Sequence, residues 1–208
     1  MQSERLEKTY IDSNIWFSYI TEGKYDDTFG HVKKLVDEIL DKDKSIIVTS
    51  DLVVLEMISV IRTKIIQRER FTVKVSEDPQ IVTHLHDLIQ QYTTGFMEKF
   101  YESTTAGKME VVQENTNTSK FMQKVQEIQN RTLGEIKDSF YCRVCGRPKD
   151  SYNYSGANHY DIQHALLAKT AHVQSLATSD KGYKHLKDYF KDSFDIIMVD
   201  KNGISILN

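Results

Sequence analysis

Four carboxylates stand where an α/β protein could gather them at a single site. Asp12 ends a β-favouring run, KTYID over 8–12, and opens a helical segment, while Asp180 closes the string LATSD over 176–180. Glu56 and Asp161 lie on apolar helical segments next to predicted strands. Ligands of open parallel sheets collect at the carboxyl ends of the strands. The four acids are therefore predicted to converge on one edge of a sheet.

Such a cluster predicts a metal ion. Carboxylates held together repel one another and raise one another's pKa unless a cation intervenes. Because the motifs contribute oxygen ligands with no matching His or Cys, the expected ion is Mg²⁺ or Mn²⁺. Divalent ions held by carboxylates commonly serve phosphodiester cleavage, in which they generate hydroxide and stabilise the leaving oxygen.

Each acid also has a simpler structural explanation. Asp12 could merely cap the first helix, and Asp161 could be favoured by the dipole of its helix. Glu56 could face water from a narrow polar stripe on its helix. Asp180, or Ser179 before it, could cap the helix that follows. Only the arrangement of the four acids favours a metal site over four unrelated roles.

The elements that must position these acids alternate along the chain. Strands are predicted at 8–12, 45–50, 173–178, 194–199 and 203–207, with amphipathic helices between them, and Ser50 is a candidate cap for the helix that carries Glu56. This alternation predicts a three-layer α/β/α fold with a mostly parallel central sheet. Residues 102–119 are predicted to be a loop. One domain over 1–208 is expected, with a helical insertion at about 95–157.

The strings YIDSN, LEMISVI, YDIQHALLA and LATSD resemble the four acidic motifs of PIN-domain nucleases, above all the VapC-like toxin ribonucleases. The resemblance covers about residues 8–94 and 158–207. It implies a PIN-like fold in which Asp12, Glu56, Asp161 and Asp180 bind Mg²⁺ or Mn²⁺ and carry catalysis. It also implies a homodimer and an antitoxin-like protein partner. Supporting hydroxyls would come from three residues, Ser13, Thr178 and Ser179.

Cys142 and Cys145 form a CxxC pair inside the predicted insertion. The pair resembles half of a zinc knuckle, and a structural Zn²⁺ would need two further ligands. His159 and His164 are the nearest candidates, and a second copy of the chain is another source. Two reduced thiols in a loop, or a disulfide, are the alternatives.

Charge and composition limit the remaining classes. The 208 residues carry a net charge of −3, yet setting the four acids aside leaves +1, so a nucleic-acid partner is not excluded. Local basic side chains would have to meet the phosphates. The chain shows neither a signal-peptide core nor a membrane span, and a cytoplasmic protein is expected. The candidate substrate-binding residues are Arg62, Lys64, Arg68 and Lys181.

The function predicted from these features is metal-dependent endoribonuclease activity on single-stranded or looped RNA. One alternative is a non-catalytic PIN-like scaffold, in which the acids are caps and the insertion binds RNA or protein. Another is a structure-specific DNA nuclease, since the attack on phosphorus does not require a 2′-hydroxyl group.

Overall fold

A computed structural model describes residues 6–25, 27–69, 79–113, 118–136 and 157–207. Its centre is one six-stranded sheet in the order β3-β2-β1-β4-β5-β6. The first five strands run parallel, and β6 is antiparallel to β5. The strands are β1 Glu7–Ile11, β2 Ser45–Ser50, β3 Met109–Val112, β4 Ser175–Thr178, β5 Asp195–Asp200 and β6 Gly203–Leu207.

Helices connect the parallel strands. A short 3-10 helix, Lys181–His185, also follows β4. The α-helices are α1 Ser13–Ile20, α2 Phe29–Asp41, α3 Asp51–Glu69, α4 Pro79–Thr105, α5 Ser119–Ile136, α6 His159–Thr170 and α7 Lys187–Phe190.

The strand order explains how the helices form two layers. Parallel strands are joined by right-handed crossovers, so the direction of each step across the sheet decides which face its helix covers. From β1 through β2 to β3 the chain moves toward one edge of the sheet, and the helices of these connections, α1–α4, lie on one face. From β3 through β4 to β5 it moves toward the other edge, so α5–α7 lie on the opposite face. The contacts agree, because α1 packs on α2, α3 and α4 whereas α5 packs on α6. The predicted three-layer α/β/α fold is confirmed.

The central strands are apolar because both of their faces are covered. In β1, Tyr10 and Ile11 have no exposed surface, and the same is true of Ile47 and Val48 in β2. Trp16 of α1 is likewise fully buried. Its ring lies 6.1 Å from that of Phe96 in α4, edge to face. This packing anchors α1, and with it the residue that precedes the helix, Asp12.

The prediction of a loop over 102–119 is wrong in its described part. Helix α4 continues to Thr105, and Met109–Val112 form β3, which pairs with β2 at the edge of the sheet. Glu110 also forms an ion pair with Lys8 at 2.6 Å. The described part of the expected insertion thus contributes a strand to the main sheet, while the limits of an insertion at 95–157 stay a prediction.

None of the described helices is long and apolar enough to cross a membrane.

Candidate functional site

Asp12 lies at the point where the strand order reverses. Strand β1 has β2 on one side and β4 on the other, and the connection that leaves β1 runs to β2 whereas the one that leaves β4 runs the opposite way to β5. This switch point, at the carboxyl ends of the strands, is where open α/β sheets form a crevice for ligands. Asp12 follows β1 directly, and Thr178 ends the neighbouring β4. The topology therefore places both residues at the binding edge.

The Asp12 carboxylate is buried and fixed through both oxygens. Its side chain caps α1 by accepting a 2.8 Å hydrogen bond from the Ser13 backbone N–H at Oδ1. Oδ2 accepts a 2.7 Å hydrogen bond from the Thr178 hydroxyl, which itself accepts from the Asp180 N–H at 3.0 Å. Burial raises the pKa of Asp12, although the charge of His164 and the Thr178 hydrogen bond oppose that shift. Asp12 is thus a helix cap whose second oxygen is held across the switch point.

Glu56 does not simply face water, because it pairs with a buried histidine. Its Oε2 lies 2.8 Å from Nε2 of His164, and the same nitrogen is 4.0 Å from Asp12 Oδ1. Burial would raise the pKa of Glu56, but the His164 hydrogen bond and charge more than offset it and lower that pKa. Burial would lower the pKa of His164, whereas Glu56 and Asp12 raise it overall. Both pKa shifts favour a carboxylate–imidazolium ion pair between Glu56 and His164.

The other ring nitrogen of His164 connects the pair to the sheet. Nδ1 lies 2.8 Å from the hydroxyl of Tyr10, which lies 2.7 Å from Oγ of Ser50. Ser50 also accepts from the Val53 N–H at 3.4 Å, which bears out its prediction as a cap of α3. One hydrogen-bonded chain thus joins α6, β1 and β2 to the start of α3. It fixes the orientation of the imidazole ring through the nitrogen that does not face Glu56.

Asp161 is the second buried acid at this edge. It lies in the first turn of α6, where Asn158 caps the helix and the Asn158 N–H donates to Asp161 Oδ2 at 2.8 Å. Burial and the nearby charges of Asp180 and Asp12 raise the pKa of Asp161 to about 8, despite that hydrogen bond. Asp180, half-buried, caps the 3-10 helix through Gly182 N–H at 2.7 Å.

Asp12 and Asp180 therefore do cap helices, as their simpler explanations predicted, and Asp161 lies in the first turn of α6, where the helix dipole favours an acid. Capping does not account for their burial, since Asp12 and Asp161 are only 2% and 6% exposed. A cap needs one accepting oxygen near a helix end, and a neighbouring acid makes it less favourable. The carboxylates are thus held together more closely than capping requires.

The donors at this edge fit a divalent metal ion. Atoms of Asp12, Glu56 and His164 all lie within 4.8 Å of one another. The hydroxyl of Tyr183 is one of three buried side-chain polar atoms that lack a hydrogen-bond partner within the described part of the protein. Burial raises the pKa of Tyr183, and the charges of Asp12 and Asp161 add to the effect. This fully buried hydroxyl therefore lies within the influence of the site's charges without a hydrogen-bond partner among the described residues.

Comparisons with known proteins give a structural match but no sequence relative. No protein-family model matches the chain, and no curated protein matches its sequence. One solved structure that aligns with the chain is that of VapBC2 from Rickettsia felis bound to a DNA fragment from their promoter. The likeness covers 93% of this chain and 99% of that one, with 10% sequence identity and a TM-score of 0.43. Family and activity are not assigned by a similarity at this level.

The supporting hydroxyls are divided between the carboxylates and an adjoining cavity. Ser13 Oγ lies 3.4 Å from Asp12 Oδ1, and a Ser13 hydrogen bond also helps to lower the pKa of Glu56. Thr178 is fully buried between Asp12 and the Asp180 backbone. Ser179 instead lines a cavity of about 450 Å³ that also contains Asn14, the residue two positions after Asp12.

Two of the four candidate basic residues line a cavity beside the acidic site. Lys64 and Lys181 are exposed and line the same 450 Å³ cavity as Ser179. Arg62 is exposed on α3 but lines neither that cavity nor the one described below. The backbone of Arg68 belongs to α3, and its side chain lies outside the described residues.

Cys142 and Cys145 lie outside the described residues, so the zinc site stays a prediction. His164, one of the two histidines considered as further zinc ligands, has both ring nitrogens engaged by Tyr10 and Glu56.

A second, apolar cavity of about 420 Å³ adjoins Glu56. We call it the apolar groove; its walls include Leu52, Leu55, Val60 and Tyr160, and Lys64 lies at its end. The 450 Å³ cavity is called the lysine cavity, since three of its lining residues are Lys64, Lys181 and Lys201. Both cavities flank the acidic site.

The expectation of an acidic site without a histidine is wrong for the cluster that the structure brings together. Asp161 and His164 are three residues apart on α6 and so share a helix face. That spacing was a signal for His164 in the sequence. Tyr10 and Tyr183 carried no comparable signal, since each is a large residue at a position where core packing is expected.

Proposed function

We propose that this protein is a metal-dependent nuclease that hydrolyses phosphodiester bonds, with RNA as its substrate. The observation that carries the proposal is the convergence of Asp12, Glu56 and His164 at the switch point of the sheet. The motif resemblance to PIN-domain nucleases supports the same activity. Asp161 and Asp180 lie at the same edge and complete the predicted set of four acids.

The protein's own residues position the reacting groups. Asp12 and Glu56 are the proposed ligands of a divalent cation, with His164 as a third ligand or as their counter-ion. When bound, the ion would acidify water and stabilise negative charge on the phosphate. Asp161 and Asp180 are then available to bind a further ion or to accept a proton from water. Thr178 and Ser13 fix the orientation of Asp12 through the hydrogen bonds described above.

The presence of a histidine among the donors affects which metal ion the site should prefer. Carboxylates suit Mg²⁺ and Mn²⁺ equally, whereas imidazole is a softer donor that Mg²⁺ seldom takes. If His164 is a ligand, Mn²⁺ is the better fit. If it remains the partner of Glu56, both ions are suitable. Activity with Mn²⁺ well above that with Mg²⁺ would indicate that His164 is a ligand, whereas comparable activity with the two ions would indicate that it stays the partner of Glu56.

Single-stranded or looped RNA is the proposed form of the substrate. An unpaired strand can bring one phosphate to the acids while its neighbours meet the basic side chains at the rim. Lys64 and Lys181 fill this role in the proposal, and Arg62 and Arg68 are the other candidates on α3. A homodimer and a small antitoxin-like protein partner follow from the motif resemblance, a cytoplasmic site of action follows from the sequence features given above, and all three remain proposals.

One observation favours a second candidate, the non-catalytic scaffold. Asp12, Asp161 and Asp180 each satisfy a helix terminus, so the fold itself supplies a reason for these acids. On this view the chain binds RNA or protein without cutting it. The two candidates differ in their need for metal, and cleavage assays separate them.

The decisive experiment compares Asp12→Asn and Asp161→Asn with a matched Asp195→Asn control. Asp195 is exposed at the start of β5, at the opposite edge of the sheet. Cleavage of labelled RNA in Mn²⁺ should fall at least about a hundredfold in both site variants, the scale of a lost catalytic interaction. The control should cleave normally, and circular dichroism should show all three folded. Undiminished cleavage in both site variants would defeat the mechanism.

The same assay identifies the substrate class. Pools of single-stranded and duplex RNA and DNA are incubated with Mn²⁺, and the product ends are mapped. Hydrolysis by water leaves a 5′-phosphate and a 3′-hydroxyl, whereas attack by the 2′-hydroxyl leaves a cyclic phosphate. Preferential cutting of duplex DNA would favour the DNA nuclease, and no cutting together with no Mn²⁺ binding would favour the scaffold.

A further inference from the structure

The apolar groove beside Glu56 has the composition of a base-binding site. Leu55 and Tyr160, which line it, expose 68% and 44% of their surface, large fractions for apolar and aromatic side chains. Its volume of about 420 Å³ lies within the range of about 300–1,000 Å³ that is typical of small-ligand sites. Ser59 and Thr63 add two hydroxyl groups to the same wall.

The groove is built from the segments that carry the acids. Leu55 immediately precedes Glu56 on α3, and Tyr160 immediately precedes Asp161 on α6. The positions 52, 55, 59 and 63 follow helical spacing, so one face of α3 forms the wall from the acidic site outward. The ring of His159 lies 4.0 Å from that of Tyr160, tilted by 38°, and supports it from one side. A ligand in this groove must therefore lie next to the carboxylates.

Lys64 connects the groove to the lysine cavity. It lines both cavities, and the lysine cavity adds Lys181 and Lys201, so that its three lysines outnumber the two aspartates, Asp27 and Asp200, in the same lining. A polynucleotide alternates planar bases with phosphates, so it can place a base on an aromatic wall and the adjoining phosphates on lysines. A helix of a protein partner would match the apolar wall but not the lysines that follow it.

We propose that the apolar groove is a nucleobase subsite, in which one unpaired base of a single strand stacks on Tyr160 against Leu55. The neighbouring phosphate then meets Lys64, and the strand continues along the lysine cavity. The inference rests on the proposed function for its ligand class, single-stranded nucleic acid. It adds a contact that selects unpaired bases, since a base in a duplex cannot leave its stack at low cost.

The test measures binding without cleavage, in EDTA, so that it does not depend on hydrolysis. Short single-stranded RNAs carry 2-aminopurine at successive positions, and anisotropy gives the affinity while quenching of 2-aminopurine emission reports stacking. Tyr160→Ala should weaken binding by about five- to a hundredfold, the worth of one stacked base, and abolish quenching at one position. Tyr160→Phe should restore both readouts. Tyr101→Ala is the matched control, because Tyr101 is 72% exposed on α4 outside the groove.

An abasic strand separates stacking from a structural role. With the base removed at the quenched position, wild type and Tyr160→Ala should bind equally. The subsite is wrong if Tyr160→Ala binds the intact strand as tightly as wild type, or if it weakens the abasic strand to the same extent. It is also wrong if Leu55→Glu disperses a dimer in light scattering while strand affinity is unchanged, since the groove would then join two copies of the chain. Loss of cleavage in Asp12→Asn bears only on the nuclease mechanism.

Discussion

At the scale of single residues, His164 is the group on which the acidic edge depends in the metal-free protein. It is 1% exposed and lies between Glu56, Asp12 and the Tyr10 hydroxyl. Removing one partner of a buried ion pair leaves the other charge without compensation, which costs about 3–5 kcal/mol when both partners are buried. The pair therefore holds α3 and α6 together at the site.

We expect His164→Ala to lower the free energy of unfolding by about 2–4 kcal/mol, somewhat less than for a fully buried pair because the Glu56 side chain is 24% exposed. Urea unfolding in EDTA at neutral pH measures the loss. His86→Ala is the control, since the His86 side chain is 76% exposed on α4 and should change the value by less than about 0.5 kcal/mol. An equal, small effect of both substitutions would show that the ion pair does not stabilise the fold.

Asp161 makes the stability of the metal-free protein depend on pH. Its pKa is raised from 3.8 to about 8, so between these values the folded protein holds a proton that the unfolded chain has lost. Stability falls with rising pH wherever the folded state binds more protons. The contribution of Asp161 is therefore lost progressively from about pH 4 to about pH 8, where the carboxyl group becomes charged in the fold as well.

Asp161→Asn should remove this loss and keep an oxygen that can accept from the Asn158 N–H. In EDTA at pH 8.5, we expect the variant to exceed wild type by at least about 1 kcal/mol, and the difference should shrink as the pH falls toward about 4. Thermal unfolding across the pH range measures it. A difference that does not vary with pH would show that the carboxyl group titrates normally.

The sequence indicated the acids but not what they contact. Asp12 and Asp180 could be placed at one edge because the ends of parallel strands must meet there. The partner of Glu56 could not be found in this way, since His164 is 108 residues away and the contact depends on how α3 and α6 pack across the sheet edge. Distant side-chain pairs of this kind are set by tertiary packing, which local patterns do not record.

At the scale of elements, α6 must begin at the right residue for Asp161 to reach the site. The Asn158 side chain accepts from the Tyr160 and Asp161 N–H groups at 2.8 and 3.1 Å, and Asp161 bonds back to Asn158. This capping box fixes the first turn and the Asp161 carboxyl group together. The start of α5 has a cap of its own, Thr118, which accepts from the Phe121 N–H at 3.2 Å.

Comparing Asn158→Ala with Thr118→Ala separates the contribution of a helix cap to the free energy of unfolding from its contribution to RNA cleavage. Each should lower the free energy of unfolding by about 0.5–2 kcal/mol, because each removes one helix cap. Only Asn158→Ala should also reduce RNA cleavage in Mn²⁺, since it loosens the turn that holds Asp161. Equal cleavage by the two variants would exclude a positioning role for the cap.

Most strands could be predicted because they are short apolar runs between helical patterns. Strand β3 was missed since MEVV is only four residues long and sits in a polar stretch of the sequence. In the described part of the sheet it is an edge strand paired with β2, so a charged residue is tolerated there and Glu110 contacts Lys8. Edge strands bury fewer side chains than central strands and so need fewer apolar residues, which makes them hard to predict from hydrophobic patterns.

At the scale of the whole molecule, charge is distributed unevenly around one end of the sheet. The chain has a net charge of −3, yet the cavity next to the acids is lined by three lysines against two aspartates, Asp27 and Asp200. A nucleic acid would be repelled by the average charge and attracted by this local surface, so binding should be weak at long range and depend on few phosphate contacts. Salt dependence measures the number of such contacts.

The slope of log affinity against log salt concentration should therefore be small for this protein, and it should fall when a contacting lysine is removed. For single strands, each neutralised phosphate contributes about 0.7 to the slope. We expect Lys64→Gln and Lys181→Gln each to reduce the slope by about that amount for single-stranded RNA in EDTA. Lys191→Gln is the matched control, because Lys191 is exposed in a cavity beside Asp195 at the other edge of the sheet. Unchanged slopes in both site variants would place the path of the strand elsewhere, whereas a reduced slope in the control alone would move it to the opposite edge.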